Sequence, residues 1–92
     1  NFEKELKLIK DGLFVSGQGL YIDRQLSSLN VTIHSSYLSR SEILMLGQVV
    51  GDQLIQLFEP SIYIHTKIVV NDEVKAFVTK ERNSLRVHFY VL

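Results

Sequence analysis

One segment of the chain has clear helical periodicity, and its sequence from Ser39 to Glu59 is SRSEILMLGQVVGDQLIQLFE. Ser39 and Glu42 have the spacing of a capping box, in which a hydroxyl and a carboxylate pair with the first free amides of a helix. Pro60 predicts where the helix ends, because a residue before proline is pushed out of helical geometry. We therefore expect one long helix, around which the other elements are arranged.

Apolar residues cover most of this predicted helix. Those that recur at helical spacing are Ile43, Leu46, Val50, Leu54 and Leu57, and those that widen the stripe are Leu44, Ile55 and Phe58. The polar residues fall on one narrow line, formed by Gln48, Asp52, Gln56 and Glu59. Such a helix is expected to need cover over most of its circumference, with Val50 and Leu54 in the core.

Two glycines inside this helix, Gly47 and Gly51, are unusual. Each costs about 1 kcal/mol relative to alanine, so another element is expected to approach the helix backbone there. In one interpretation the sheet packs into the groove through Phe89 or Ile64. The second interpretation is a helix contact at Gly47 and Gly51, with the segment from residue 2 to 9 or with a second copy of the chain.

The remaining segments predict one short helix and several strands. Phe2, Leu6 and Ile9 lie on one face of a short amphipathic helix. Strands are predicted over residues 13–15 and 20–22, with a turn at 16–19 between them, and over residues 29–34. Alternating apolar residues predict three more strands within 62–70, 74–78 and 85–91. The predicted fold is α+β: an antiparallel sheet, made of a C-terminal three-stranded meander plus one or two N-terminal strands, packed on one long central helix, with a short N-terminal helix.

Parity predicts the register of the meander, because a shift of one residue moves every side chain to the other face. A three-residue loop over 71–73 places the apolar residues on one face, with Val70 opposite Val74 and Ile68 opposite Ala76. A two-residue loop at Arg82 and Asn83 then pairs Val78 with Val87 and Ala76 with Phe89.

Length and composition limit the protein classes that fit. The 92 residues, 46% of them hydrophobic, predict a single domain over 1–92, and a start at Asn1 favours a fragment of a longer protein. Ten basic and ten acidic residues balance, which argues against a large nucleic-acid footprint. The absence of cysteine excludes disulfides, thiolate zinc sites and cysteine nucleophiles and leaves the compartment open. No apolar run approaches the roughly 20 residues of a membrane helix.

The outward face of the predicted sheet carries aromatic and basic side chains. The predicted partner-binding residues are Tyr63, His65, Lys67, Lys75, Phe77, Arg86, His88 and Tyr90. Thr79 belongs to the same face, and Thr32 and His34 join it if their strand is part of the sheet. A protein partner or a second copy is the predicted ligand. Single-stranded nucleic acid is the alternative, because aromatic and basic side chains on an open sheet suit stacked bases. A merely solvated face would carry similar residues.

No pattern for catalysis or for a cofactor is found. The three histidines lack metal-ligand spacing, and His65 and His88 are predicted about 10 Å apart, with one strand between theirs. There is no Gly-x-Ser-x-Gly elbow, and the Gly17-Gln18-Gly19 segment is followed by a strand rather than by the helix of a dinucleotide site. We therefore predict a non-enzymatic protein–protein interaction or oligomerisation module without cofactor or metal. Its expected context is a larger membrane-anchored or secretion-type assembly.

Overall fold

A computed structural model of the chain describes residues 12–92, so the helix predicted over residues 2–9 lies outside the described part. The described elements are β1 (Phe14–Ile22), β2 (Gln25–Ser35), α1 (Arg40–Leu57), β3 (Tyr63–Val70), β4 (Glu73–Lys80) and β5 (Val87–Val91). They form an α+β domain in which one helix packs on one side of a five-stranded sheet. The predicted fold class is confirmed at this level.

The predicted capping box begins the helix. The Ser39 hydroxyl accepts a bond from the Glu42 amide at 3.2 Å, and the Glu42 carboxylate accepts one from the Ser39 amide at 2.9 Å. These two bonds satisfy amides that have no partner inside the helix. The helix ends at Leu57, three residues before Pro60, in agreement with the predicted stop.

The sheet has the strand order β1-β2-β3-β4-β5 and is mixed, which corrects the prediction of an antiparallel sheet. β2 and β3 are parallel, whereas the other three pairs are antiparallel. The reason is the position of α1 in the chain. Because α1 lies between β2 and β3, it supplies the long crossover that a parallel pair of adjacent strands requires.

The N-terminal strands also differ from the prediction. Residues 14–22 form one continuous strand, and the turn predicted at 16–19 is absent from it. The chain reverses instead at Asp23 and Arg24, whose φ angles are 51° and 68°. Two consecutive left-handed residues are typical of a two-residue hairpin, because this turn matches the twist of the strands.

The β3–β4 connection is a two-residue turn rather than the predicted three-residue loop. Asn71 and Asp72 have φ angles of 50° and 66°, and the pairs next to them are Val70 with Glu73 and Val69 with Val74. Lys75 is then an extra residue in β4, which restores the predicted pairing of Ile68 with Ala76. A β-bulge of this kind inserts one residue in one strand, so the apolar faces align from Ile68 and Ala76 onward. Val74, predicted on the apolar face, instead pairs with Val69 on the other face.

The β4–β5 register is shifted by two residues from the prediction. Val78 pairs with Phe89 and Ala76 pairs with Val91, because residues 81–86 form the connection rather than a two-residue loop. Since the shift is even, every side chain of β5 stays on its predicted face.

The core lies between α1 and the sheet. Its fully buried members, at 0% exposure, include Ile33, Leu46, Val50, Leu54, Ile64, Ile68, Ala76 and Val78, so the prediction that Val50 and Leu54 are core is confirmed. The buried stripe of α1 is narrower than predicted, because Leu44 and Leu57 are 41% and 50% exposed. One face of the sheet is therefore sufficient cover for the inward side of the helix.

Gly47 and Gly51 are buried against β5. A Cβ atom at Gly47 would fall within the ring of Phe89, and one at Gly51 would lie 2.8 Å from Val87 Cγ2. The sheet therefore packs into the groove through Phe89, as the first interpretation has it. The helix contact predicted at Gly47 and Gly51 is corrected accordingly, because β5 side chains occupy the surface that another helix would need.

Substitution of Gly47 by alanine tests this packing. The helix gains propensity, but the new methyl group overlaps the Phe89 ring, and overpacking typically costs about 1–3 kcal/mol. We expect Gly47→Ala to lower the free energy of unfolding in a urea titration, and Phe89→Leu in the same chain to recover part of the loss. A Gly47→Ala variant more stable than the wild type would contradict the packing.

Lys80 is 1% exposed and faces the core side of the sheet. Its ammonium donates to the carbonyl oxygens of Pro60 and Ile62, each at 2.9 Å, and to that of Glu81 at 3.0 Å. These bonds connect the segment after α1 to the end of β4. Burial lowers the pKa of the Lys80 ammonium below its ordinary value of 10.5, because desolvation disfavours the charged form.

This shift predicts a pH dependence of stability. Between the lowered folded-state pKa and the ordinary value of 10.5, the unfolded chain binds more protons, so the Lys80 contribution to the free energy of unfolding rises with pH. We expect Lys80→Met to lose this rise and, at neutral pH, to be less stable by about 1–3 kcal/mol, because three carbonyl groups lose the bond from the Lys80 ammonium.

Urea titrations across this alkaline range, on wild type, Lys80→Met and the control Lys67→Met, measure the effect. The control replaces Lys67, a half-buried lysine of β3 on the opposite face of the sheet from Lys80. Its free energy of unfolding should rise with pH as steeply as that of the wild type. If the free energy of unfolding rises equally with pH in wild type and Lys80→Met, Lys80 does not cause the pH dependence.

Candidate partner-binding face

The side of the sheet away from α1, called here the open face, consists of the alternate residues of each strand. The register aligns these residues in two central rows that each cross all five strands. The histidine row is Gln18, Asn30, His65, Thr79 and His88. The lysine row is Ser16, Thr32, Lys67, Phe77 and Tyr90. At the usual strand spacing each row is about 19 Å long.

Apolar residues border the two rows on both sides. One border contains Leu20 and Tyr63, and the other contains Phe14, Val69 and Val74. Phe14 and Leu20 are 72% and 57% exposed. The open face is thus a polar band between two apolar margins.

The half of the open face on β1, β2 and β3 is a shallow polar depression of about 560 Å³. Its lining residues are Ser16, Gly17, Gln18, Asn30, Thr32, His65 and Lys67. Hydroxyl and amide side chains both donate and accept hydrogen bonds. This half is therefore suited to a ligand rich in amide or hydroxyl groups.

The other half of the open face is aromatic. The rings of His65 and Phe77 stack with centroids 5.3 Å apart and an interplanar angle of 27°. His65 Nδ1 also lies 3.0 Å from Thr79 Oγ1, so the imidazole is held by a stacking contact and a hydrogen bond at once. Tyr90 pairs with Phe77 across β4 and β5 and is 64% exposed. Aromatic rings on this half offer contact area at a low cost in side-chain entropy.

Charge on the open face differs from the balance of the whole chain. Neither row contains an acidic residue, and Lys67 is the cation of the two rows. Glu73 lies at a hairpin end, where its carboxylate accepts a bond from Lys75 at 2.9 Å. That hydrogen bond and the charge of Lys75 lower the pKa of Glu73. The two rows therefore present hydrogen-bond donors, aromatic rings and one positive charge to the solvent side of the sheet.

Six of the eight predicted partner-binding residues lie on the open face. They are Tyr63, His65, Lys67, Phe77, His88 and Tyr90. Lys75 is the extra residue of the β4 bulge and pairs with Glu73. Arg86 precedes β5, where its amide donates to the Ser84 hydroxyl at 3.0 Å. These two residues are outside the rows because the bulge and the long β4–β5 connection change the spacing that parity assumed.

The sequence did not predict that β1 contributes to the polar half, and it predicted the contribution of β2 only on the condition that this strand joins the sheet. Ser16 and Gln18 fall in the segment interpreted as a turn, because glycine alternates with them. The signal that could have found them is the alternation itself: Phe14, Ser16, Gln18 and Leu20 share one face. Thr32 and His34 were conditional on their strand joining the sheet, and it does so.

Among residues 12–92, no group of three or more histidine or acidic side chains could hold a metal ion. His65 and His88 are on β3 and β5, with β4 between them, as expected. No helix in the described part of the chain is both long and apolar enough to span a membrane.

Residues 1–85 match the family model described as "CamS sex pheromone cAM373 precursor". The chain belongs to the CamS family. No curated protein matches it. CamS is a family of sex pheromone precursors and is not known as an enzyme family.

Two crystal structures of proteins with such names resemble this CamS domain. The sex pheromone staph-cAM373 precursor has a TM-score of 0.91 and 25% identity, over 100% of this chain and 33% of that one. The sex pheromone precursor from Lactobacillus salivarius subsp. salivarius UCC118 has a TM-score of 0.89 and 29% identity, over 100% of this chain and 28% of that one. The chain thus spans about a third or less of the proteins that it matches, and its α+β sheet and helix match theirs.

Proposed function

We propose that this CamS domain is a non-enzymatic interaction module that binds a protein partner on its open face. The observation that carries the proposal is the polar and aromatic band of the histidine and lysine rows. It crosses all five strands, and among the described residues the one helix packs on the opposite side. A band this wide suits an extended polypeptide, whose amides pair with the side chains of β1 and β2.

The shape of the open face favours a protein over a small molecule. Small-molecule sites are concave and bury most of their ligand, whereas the depression beside Lys67 is shallow and polar. Exposed aromatic residues such as Tyr90 are typical of protein interfaces, where an amphipathic ring contacts a partner and keeps its hydroxyl bonded.

Charge favours a protein over single-stranded nucleic acid. Proteins that bind single strands combine stacking rings with a positively charged groove. The stacked pair of His65 and Phe77 fits the first requirement. The second is not supported, since the two rows contain one lysine and the whole chain has no net charge.

The larger context is part of the proposal. The matched precursors are about three times as long as this chain, so the domain is proposed to act inside a larger membrane-anchored or secretion-type assembly. Because the matched relatives are named sex pheromone precursors, we propose that this domain is likewise part of a longer precursor of that kind.

A displayed peptide library, panned on the wild-type chain, provides a defined probe. We expect the double variant Lys67→Ser, Tyr90→Ser to bind selected peptides at least about tenfold more weakly, a loss of about 1.4 kcal/mol. Its thermal midpoint should stay nearly unchanged, because surface substitutions change stability little. Arg86→Ser is the matched control, since it removes a predicted cation that precedes β5 and lies outside the two central rows.

Two results would count against a protein ligand on this face. One is a set of selected peptides that bind the double variant as tightly as the wild type, or no enriched peptide at all. The other is tight binding of an oligodeoxythymidine that Lys67→Ser abolishes and that weakens steeply with salt. That second result is the signature of phosphate contacts and would favour the nucleic-acid alternative.

A further inference from the structure

β1 is an edge strand of the described five-stranded sheet. Within the described residues it pairs with β2 alone, and eight of its nine residues are exposed. An edge strand presents a row of unpaired amide and carbonyl groups, which is a template for pairing with another strand.

The sequence of β1 lacks the charged and proline residues that often protect an edge, although the β1–β2 pair contains a bulge between Leu20 and Tyr21. Natural proteins place lysine, proline or inward charges there, or keep the strand short. β1 (Phe14–Ile22) contains no charged residue and no proline. The opposite edge, β5 (Val87–Val91), has only five residues, so shortness protects that side and leaves β1 as the edge available for pairing.

We infer that β1 pairs antiparallel with β1 of a second copy, about a two-fold axis at Gln18, which joins the two sheets into one. This goes beyond the proposed function, because it uses the edge of the sheet rather than its open face. In this register Gln18 faces Gln18 of the second copy. Its neighbours pair as Gly17 with Gly19, Ser16 with Leu20, Val15 with Tyr21, and Phe14 with Ile22.

Three properties of β1 favour a second copy as the occupant. A two-fold axis brings identical residues together, and like charges opposite each other destabilise a strand pair, but β1 has no charge. Gln18 is the middle residue of the strand, with four residues on each side. The register also pairs odd-numbered residues with odd-numbered ones. In an edge strand, the amide and carbonyl groups that point away from the sheet belong to every second residue. Pairing of residues with the same parity therefore places these groups of one copy opposite those of the other.

Side-chain sizes along β1 are also self-complementary. Apolar residues at one end meet apolar residues at the other, so that Phe14 and Ile22, which are 72% and 56% exposed, cover each other. Tyr21, at 65% exposure, is covered by Val15 in the same way, whereas Leu20, at 57% exposure, lies opposite the small side chain of Ser16. Burial of apolar surface is the main favourable term in such an association.

The inference also accounts for Gly17. Glycine weakens a strand and often marks the close approach of another backbone. Gly19 has a reason within the chain, because a Cβ there would lie 2.8 Å from Leu26 Cδ1. Within residues 12–92 Gly17 has no such reason, since a Cβ there would meet Asn30 O at 3.6 Å and Leu29 Cδ1 at 3.8 Å, which are ordinary contact distances. In the paired strands Gly17 and Gly19 face each other across the centre of the contact.

Single cysteines in this cysteine-free chain test the register directly. Gln18→Cys places two thiols opposite each other, at a separation close to that of a disulfide, so mild oxidation should give a dimer of twice the 10.6 kDa chain. Ser16→Cys is the matched control. It lies on the same strand and face, but its counterpart in the second copy is Leu20, so it should crosslink poorly. Crosslinking of Ser16→Cys in preference to Gln18→Cys would overturn the register.

Charge at the axis gives a second test without cysteine. We expect Gln18→Lys and Gln18→Glu each to weaken self-association by about fivefold or more, and an equimolar mixture of the two to restore it as a mixed dimer. Light scattering over a concentration series measures the mass, and Gln56→Lys on the exposed side of α1 is the control. A mixture that remains monomeric while the wild type is dimeric would overturn the two-fold at Gln18.

The wild-type chain itself can overturn the proposal. A chain that is monomeric at about 1 mM does not self-associate through any useful contact. This result does not affect the peptide test of the open face, so the two proposals fail separately.

Discussion

The close packing of α1 on β5 is the contact on which the rest of the domain depends. Gly47 and Gly51 remove side chains from the inward side of the helix, and Phe89 and Val87 fill the space. Close contact of this kind positions α1 over β4 and β5 and buries the apolar side of the sheet. It also decides which side of the sheet the helix leaves free, and therefore where a partner has access.

The crossover gives the sheet its second defining feature. A capped helix between β2 and β3 makes those strands parallel, so the N-terminal hairpin is added to one side of the C-terminal meander. Lys80 stabilises the return of the chain after the helix, where its ammonium bonds the carbonyl groups of Pro60 and Ile62. The buried ammonium thus adds to the few backbone bonds of this irregular segment, among them the bond from the Asn83 amide to the Pro60 carbonyl.

Two surfaces result from this arrangement, and they differ in chemistry. The open face is a wide band of polar and aromatic side chains, suited to a protein ligand. The β1 edge is an uncharged row of backbone groups, suited to another strand. If both are used, a β1 pair about Gln18 would extend the histidine row of one copy into that of the other. Binding on the face and association at the edge would then occur in one continuous sheet.

The sequence alone determined the elements whose signals are local. The capping box at Ser39, the core positions Val50 and Leu54, and the face of the C-terminal strands apart from the start of β4 follow from spacing, since periods of 3.6 and 2 depend only on neighbouring residues. Six residues of the open face, including His65 and Phe77, were predicted in this way. Parity is robust because an even error in register leaves every side chain on its face, as the two-residue shift of β5 shows.

Tertiary structure decided what depends on residues far apart in the chain. The parallel β2–β3 pair, the bulge at Lys75 and the site of the first hairpin turn arise from how strands meet, and such pairings leave little trace in local periodicity. The contact at Gly47 is of the same kind. Two glycines showed that some group approaches the helix, but only the folded chain selected Phe89, because which element fills a groove depends on the packing of the whole domain.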